Sequence, residues 1–181
     1  SDPLPATAYL ADNTLTDPAH WQTFDYALDI QGGAHVTLER NAIEGDIRVH
    51  QDCTQFTARH NVITGSISTC WTPVLDITDN ILNGRLYLGS AVALTCSGDA
   101  IGTIARNTIQ NIGAYQALYI GRRWYTESHT DLASRHNCLR LNNTQVGATL
   151  YTYEGHGPVE LRYNWWGDAS GPNHPDNPGG L

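Results

Sequence analysis

Residues 38–49 read Leu38-Glu39-Arg40-Asn41-Ala42-Ile43-Glu44-Gly45-Asp46-Ile47-Arg48-Val49, and residues 58–69 repeat the design as Ala58-Arg59-His60-Asn61-Val62-Ile63-Thr64-Gly65-Ser66-Ile67-Ser68-Thr69. Each holds an Asn with an apolar residue three positions before it, another two positions after it, and a Gly at the fourth position. Outward from this pair the Asn recurs as Asn13, Asn41, Asn61, Asn80, Asn107, Asn137 and Asn164, at spacings of 28, 20, 19, 27, 30 and 27 residues. Leu15, Ile43, Ile63, Leu82, Ile109, Leu139 and Trp166 follow two positions later, and Leu10, Leu38, Ala58, Ile77, Ile104, Ser134 and Leu161 stand three before. Such a period has to be found before secondary structure is assigned, because it decides the architecture.

Between the asparagines runs a second register: Leu28-Asp29-Ile30, Ile47-Arg48-Val49, Ile67-Ser68-Thr69, Leu86-Tyr87-Leu88, Leu118-Tyr119-Ile120 and Leu150-Tyr151-Thr152. Apolar residues alternating with variable ones have the period of a strand with one buried face. Only Asp17 to Ala27 carries a helical signal, with Thr16 or Asp17 as cap and Pro18 in the first turn. Short strands broken by Asn and Gly near a 20-residue period predict an all-β solenoid of about six to seven rungs, one domain over 1–181, with the Asn residues stacked as a ladder. Asn suits a sharp corner, since it tolerates a left-handed backbone and its amide can bond to its copy one rung away. The longer units are expected to bulge as loops around 17–25, 89–98, 122–129 and 155–158. A β-sandwich with coincidental Asn turns is the competing architecture, and two registers recurring in step disfavour it.

Composition narrows the function. Ten basic side chains, all of them Arg, face 18 acidic ones for a formal charge of −8, which argues against gripping phosphate backbones; no nucleic-acid partner is expected. No apolar run approaches a bilayer span, so membrane insertion is not expected either. The chain lacks Met and opens on Ser1, which is read as the removal of something N-terminal. Cys53, Cys70, Cys96 and Cys138 form an even set that an oxidising compartment can pair into disulfides, with buried thiols as the alternative.

The end of the chain, Asn164-Trp165-Trp166-Gly167-Asp168-Ala169-Ser170-Gly171-Pro172 continuing to Asn177-Pro178-Gly179-Gly180, is rich in Pro and Gly, and 165–181 is expected to be an irregular tail. Together with the repeat, it resembles the right-handed parallel β-helix (pectate-lyase-like) family and the N-W-W-G…G-P tail of bacterial and archaeal surface proteins. That resemblance implies a right-handed parallel β-helix and a secreted or cell-surface setting. It implies no single activity, because this fold carries lyases, glycosidases, phage spikes, adhesins and passive fibres.

The variable residues of the second register line up as Asp29, Arg48, Ser68, Tyr87, Tyr119 and Tyr151. In pectin-degrading members of the family such a face holds sugar chains, so Tyr87, Tyr119 and Tyr151, with Trp124, Tyr125 and Tyr153, are the candidate sugar platform; cross-strand ring packing is the structural alternative. Acid–base chemistry on sugars needs facing carboxylates. Asp29 with Asp46, and Asp76 with Asp79, are the only candidate pairs, and no carboxylate cluster builds around them. Asp76 and Asp79 can offer calcium one edge, but its other oxygens are not visible, and no cofactor is assigned. His35, His50, His60, His129, His136 and His156 fall at scattered offsets and predict no metal centre. Arg40, Arg59, Arg106, Arg135 and Arg162 sit one or two residues before the asparagines, where Asp12, Glu39 and Asp79 can interleave with them as a charge-paired edge.

Ser1 to Ala11 contains no capping helix, and unprotected solenoid ends pair with further strands. A non-catalytic extracellular fibre or surface module whose partners are other copies of itself, end to end, is therefore the expected function. The alternatives are a polysaccharide-binding or polysaccharide-degrading protein and an adhesin or phage-spike fragment.

Overall fold

A computed structural model describes residues 6–16, 26–32, 34–50, 53–69, 74–83, 90–95, 100–110, 116–121, 130–140, 146–151 and 159–166. In chain order the strands are β1 (Ala6–Ala11), β2 (Thr14–Thr16), β3 (Tyr26–Ile30), β4 (Ala34–Glu39), β5 (Ala42–Glu44), β6 (Asp46–Val49), β7 (Gln55–Arg59), β8 (Val62–Thr64) and β9 (Ile67–Thr69). They continue as β10 (Val74–Thr78), β11 (Ile81–Asn83), β12 (Ser90–Thr95), β13 (Ala100–Ala105), β14 (Thr108–Gln110), β15 (Gln116–Gly121), β16 (Thr130–Arg135), β17 (Cys138–Arg140), β18 (Val146–Tyr151) and β19 (Val159–Glu160). The described residues contain no helix.

Every inner strand pairs with the strands three before and three after it, the end strands of each sheet have one such neighbour, and every pairing is parallel. The first sheet is β1-β4-β7-β10-β13-β16-β19, the second β2-β5-β8-β11-β14-β17, and the third β3-β6-β9-β12-β15-β18. A chain that visits three sheets in rotation and returns one strand further along each time is a stacked all-parallel β architecture of the solenoid kind. Antiparallel sandwich pairing is absent from the described strands.

The two sequence registers explain the stacking. Leu10, Leu38, Ala58, Ile77, Ile104 and Ser134 fall opposite one another along the first sheet. Leu15, Ile43, Ile63, Leu82, Ile109 and Leu139 do so along the second. Leu28, Ile47 and Ile67 open the third. These inward columns form one continuous core in which Leu38, Ile47, Ile63, Ile67, Ile77 and Leu82 are fully buried. Each such side chain contributes about 1.5–3 kcal/mol of burial, and identical spacing on successive strands lets it pack on its counterpart one turn away.

Three expectations are corrected. Tyr26 and Ala27 open β3, so the C-terminal end of the proposed short helix is strand; residues 17–25 lie outside the described residues. The fourth strand of the third sheet is Ser90–Thr95, with Val92 opposite Ile67 and Ala93 opposite Ser68, in place of Leu86-Tyr87-Leu88 and within a stretch expected to bulge. In the last strand of that sheet Ala148-Thr149-Leu150 stands opposite Leu118-Tyr119-Ile120, two residues from the expected register. A shift of two or six residues preserves the inward–outward alternation, so period-two patterning cannot exclude it. The loops expected at 122–129 and 155–158 lie outside the described residues.

Two glycines mark where backbones crowd. A Cβ on Gly65 would stand 2.2 Å from the Gly45 carbonyl oxygen, and one on Gly102 would stand 1.9 Å from that of Leu75. Gly102→Ala is therefore expected to destabilise by about 1–3 kcal/mol or more through displacement of the β10–β13 pairing. Phe56→Ala, which empties a fully buried site, should cost about 3–5 kcal/mol. Urea unfolding of both variants measures the two costs; a wild-type midpoint for Gly102→Ala would show that the backbones can separate freely.

Candidate functional site

Each corner between the first and second sheets is built from two residues. The one before the repeat Asn holds a left-handed backbone: Asp12, Arg40, His60, Asp79, Arg106, His136 and Tyr163, with φ between 54° and 63°. None is Asn or Gly, and the strained position is one residue earlier than expected for the Asn itself. A left-handed L-residue costs roughly 1–2 kcal/mol. It turns the chain sharply enough to aim the following Asn inward, and Asn41, Asn61, Asn80, Asn107 and Asn137 are buried.

Those buried amides have partners. Asn61 donates from its backbone N and from Nδ2 to Asn80 Oδ1, at 2.9 and 3.0 Å, and Nδ2 also reaches the carbonyls of Leu38 and Arg59. Its Oδ1 accepts the same two donors from Asn41. The doubled bond recurs at all six steps from Asn13 to Asn164. A backbone N–H can only donate, so the amide orientation is fixed, and every step points from the lower-numbered Asn to the higher.

Outside this column runs a charged edge. Arg40 forks onto Asp12 at 2.8 Å, and Arg106 onto Asp79 at 2.7 and 2.6 Å. Arg40 also pairs with Glu39, Arg59 with Asp76, and both Arg135 and Arg162 with Glu160. Asp76 and Glu160 were not recognised as partners from sequence, since each lies four positions before its Asn, on the strand face diagonal to the arginines. Asp12 and Asp79 are held below the usual carboxylate range, first by the hydrogen bonds from Arg40 and Arg106; Glu160 is lowered by Arg162 and then Arg135.

On the outer face of the third sheet, the residues level with one another are Asp29, Arg48, Ser68, Ala93, Tyr119 and Thr149. Tyr119 is therefore level with Ala93 and Thr149, and Tyr151 with Gly121, so these two tyrosines are not at one level of the sheet as expected. Tyr87, Trp124, Tyr125 and Tyr153 lie outside the described residues. A different cluster occupies the first two strands of that sheet, where Arg48 stacks 5.2 Å over the Tyr26 ring and Gln31 donates to Asp29 at 2.7 Å. His50 Nε2 lies 2.9 Å from Asp29 Oδ1 without forming a hydrogen bond.

The candidate carboxylate pairs are engaged separately. Asp29 faces His50 and Gln31, whereas Asp46 accepts the Ser66 backbone N–H at 2.7 Å. Asp76 and Asp79 each take a different guanidinium. Among the described residues no three His, Cys, Asp or Glu side chains converge as metal ligands. Cys53 and Cys138 carry thiols in the structure, and Cys70 and Cys96 lie outside the described residues. The residues level with Cys138 are Thr108 and Trp165, and Cys53 is buried with its Sγ 3.4 Å from the Gln55 carbonyl. Burial raises the Cys53 thiol above its ordinary pKa.

Asn80→Leu strips the acceptor from two donors of Asn61 and withdraws the Nδ2 donor from the carbonyls of Ala58 and Thr78, a loss of about 3 kcal/mol at 1–3 kcal/mol per affected group. Asn13→Leu, at an exposed position, should cost under about 1 kcal/mol, since water replaces its bonds. Equal losses in denaturant titrations would refute the dependence on burial. Carboxylates with lowered folded-state pKa values add stability above their unfolded values and lose it as pH falls through the folded ones. The melting temperature should therefore drop as pH is lowered from about 5, modestly because these groups are exposed and salt-screened. Arg106→Ala should flatten that acid limb; an unchanged profile would remove Asp79 from the account. No family model, curated protein or solved structure matches the chain.

Proposed function

We propose that the chain is a non-catalytic extracellular structural module: a right-handed parallel β-helix of six to seven rungs, braced by the ladder Asn13, Asn41, Asn61, Asn80, Asn107, Asn137 and Asn164, which stacks end to end with other copies into a fibre or cell-surface array. The observation that carries this reading is the state of the end strands. Among the described residues, β1, β2 and β3 pair along one edge only, as do β19 and β18 at the opposite end, where a single residue, Trp165, bridges to the outer edge of β17. Unpaired parallel edges are templates for further strands. The inward residues there, Leu10, Leu15, Leu28, Leu161 and Trp166, are only partly buried, although the columns they continue are fully buried in the middle of the stack. The surface setting rests on the resemblance of the tail motif.

A second reading draws on the outer cluster of Tyr26, Asp29, Gln31, Arg48 and His50. An aromatic ring beside amide, carboxylate and guanidinium groups is the equipment of a polysaccharide-binding face.

Negative-stain microscopy and light scattering of the untagged protein at micromolar concentration test the first reading. Unbranched filaments of constant width are expected, and scattering should rise with concentration. A uniform field of monomers would sink it. Retention on an immobilised glycan, lost in Arg48→Ala and unaffected by Arg140→Ala, would favour the second.

A further inference from the structure

We infer that the two ends are complementary and unlike, so that a copy of this chain accepts a second copy in one direction only, with Asn13 of the newcomer seated on Asn164; this rests on the end-to-end reading above. The bond set at every internal step has a direction. The lower Asn gives its N and Nδ2 to the upper Oδ1, and the residue before it gives its N–H to a carbonyl of the next turn, as Asp12 does to Glu39 at 3.1 Å and His136 to Tyr163 at 3.1 Å. The residue after the upper Asn returns its N–H to the lower Asn carbonyl, as Ala42 does to Asn13 at 2.9 Å and Trp165 to Asn137 at 2.8 Å.

At the two ends the same set is left half made. Among the described residues nothing donates to Asn13 Oδ1, and nothing accepts from the backbone N–H of Asn164 or of Tyr163. Among the described residues one end thus lacks a donor and the other an acceptor. Seating Asn13 on Asn164 completes the step with the geometry of the six internal ones. Two Asn13 ends brought together would oppose acceptor to acceptor, and two Asn164 ends donor to donor.

Side chains agree with this direction. The left-handed column runs Asp12, Arg40, His60, Asp79, Arg106, His136, Tyr163. Asp12 and Asp79 each have a guanidinium on the far side, and His136 lies stacked on Tyr163 with ring centroids 5.4 Å apart. Continuing the column places Asp12 of the second copy beside Tyr163, whereas joining two Asp12 ends sets like charges side by side, which is destabilising. Tyr9, Tyr163 and Trp165, at 59%, 68% and 49% exposure, are large apolar side chains standing out on the first and last turns described. Leu10 continues into Leu161 and Leu15 into Trp166, so the core columns run on across the junction.

Asp12→Cys and Tyr163→Cys, both at exposed positions, report the junction by oxidative cross-linking, one variant carrying a mass tag and the wild type serving as the thiol background. Strand neighbours lie within disulfide reach, so the mixture should yield a mixed dimer at least about tenfold above either variant alone. Should circular dichroism show either variant unfolded, Ala11→Cys with Arg162→Cys reads the adjacent column. Dimers of one variant alone, above the wild-type background, would overturn the direction while leaving end-to-end stacking in place. Wild-type assemblies with no cross-link in any arm would overturn the junction and place assembly on a side face. Wild type that stays monomeric, again without cross-links, would overturn both the junction and the reading beneath it.

Discussion

The side-chain amide of a buried Asn is a group that the protein interior tolerates only when it is fully bonded. Here each one meets two donors from one neighbouring Asn, serves the acceptor of the other, and closes onto main-chain carbonyls. Leaving one such group unmet costs about 1–3 kcal/mol, so no turn can slip past its neighbour without breaking several bonds together. Registration of the three sheets follows from this constraint, since apolar columns alone would accept a shift of two residues.

The left-handed residue before each Asn is the complement of that constraint. Seven non-glycine residues occupy a costly backbone region, and the expense is offset by the bonds their position allows the next residue to make. Because their side chains point outward from the corner, the positions are free to vary, and they carry Asp, Arg, His and Tyr. A charged edge therefore arises from the backbone geometry that buries the amides. Each exposed pair on it is worth little; alternation of sign mainly avoids repulsion between strands stacked at short range.

Much of the architecture was legible in the chain. Apolar residues three before and two after the Asn predicted two inward columns, and the structure lines up Leu38 with Ala58 and Ile43 with Ile63. The outer face of the third sheet was less legible. Tyr87 and Tyr151 share the parity of Ala93 and Thr149, and a period-two pattern cannot tell which of them stands level with Tyr119. Cysteine parity is silent on register for a similar reason: an even count does not say which residue stands level with Cys138, and the register puts Thr108 and Trp165 there. The Asp29–Gln31–His50 cluster escaped notice because its members come from the ends of two strands adjacent in space but 19 residues apart between Gln31 and His50.

What the sequence by itself determined is the repeat: which Asn recurs, which positions turn inward, and that strands stacked as a solenoid carry the described residues. Those properties follow from local alternation and spacing. Only the tertiary structure decided the direction of the amide bonds, the residue that bears the backbone strain, and the exact register of the third sheet. Each depends on contacts between strands 19 to 30 residues apart in the chain, where competing pairings of equal local merit are separated only by the bonds and packing they form together.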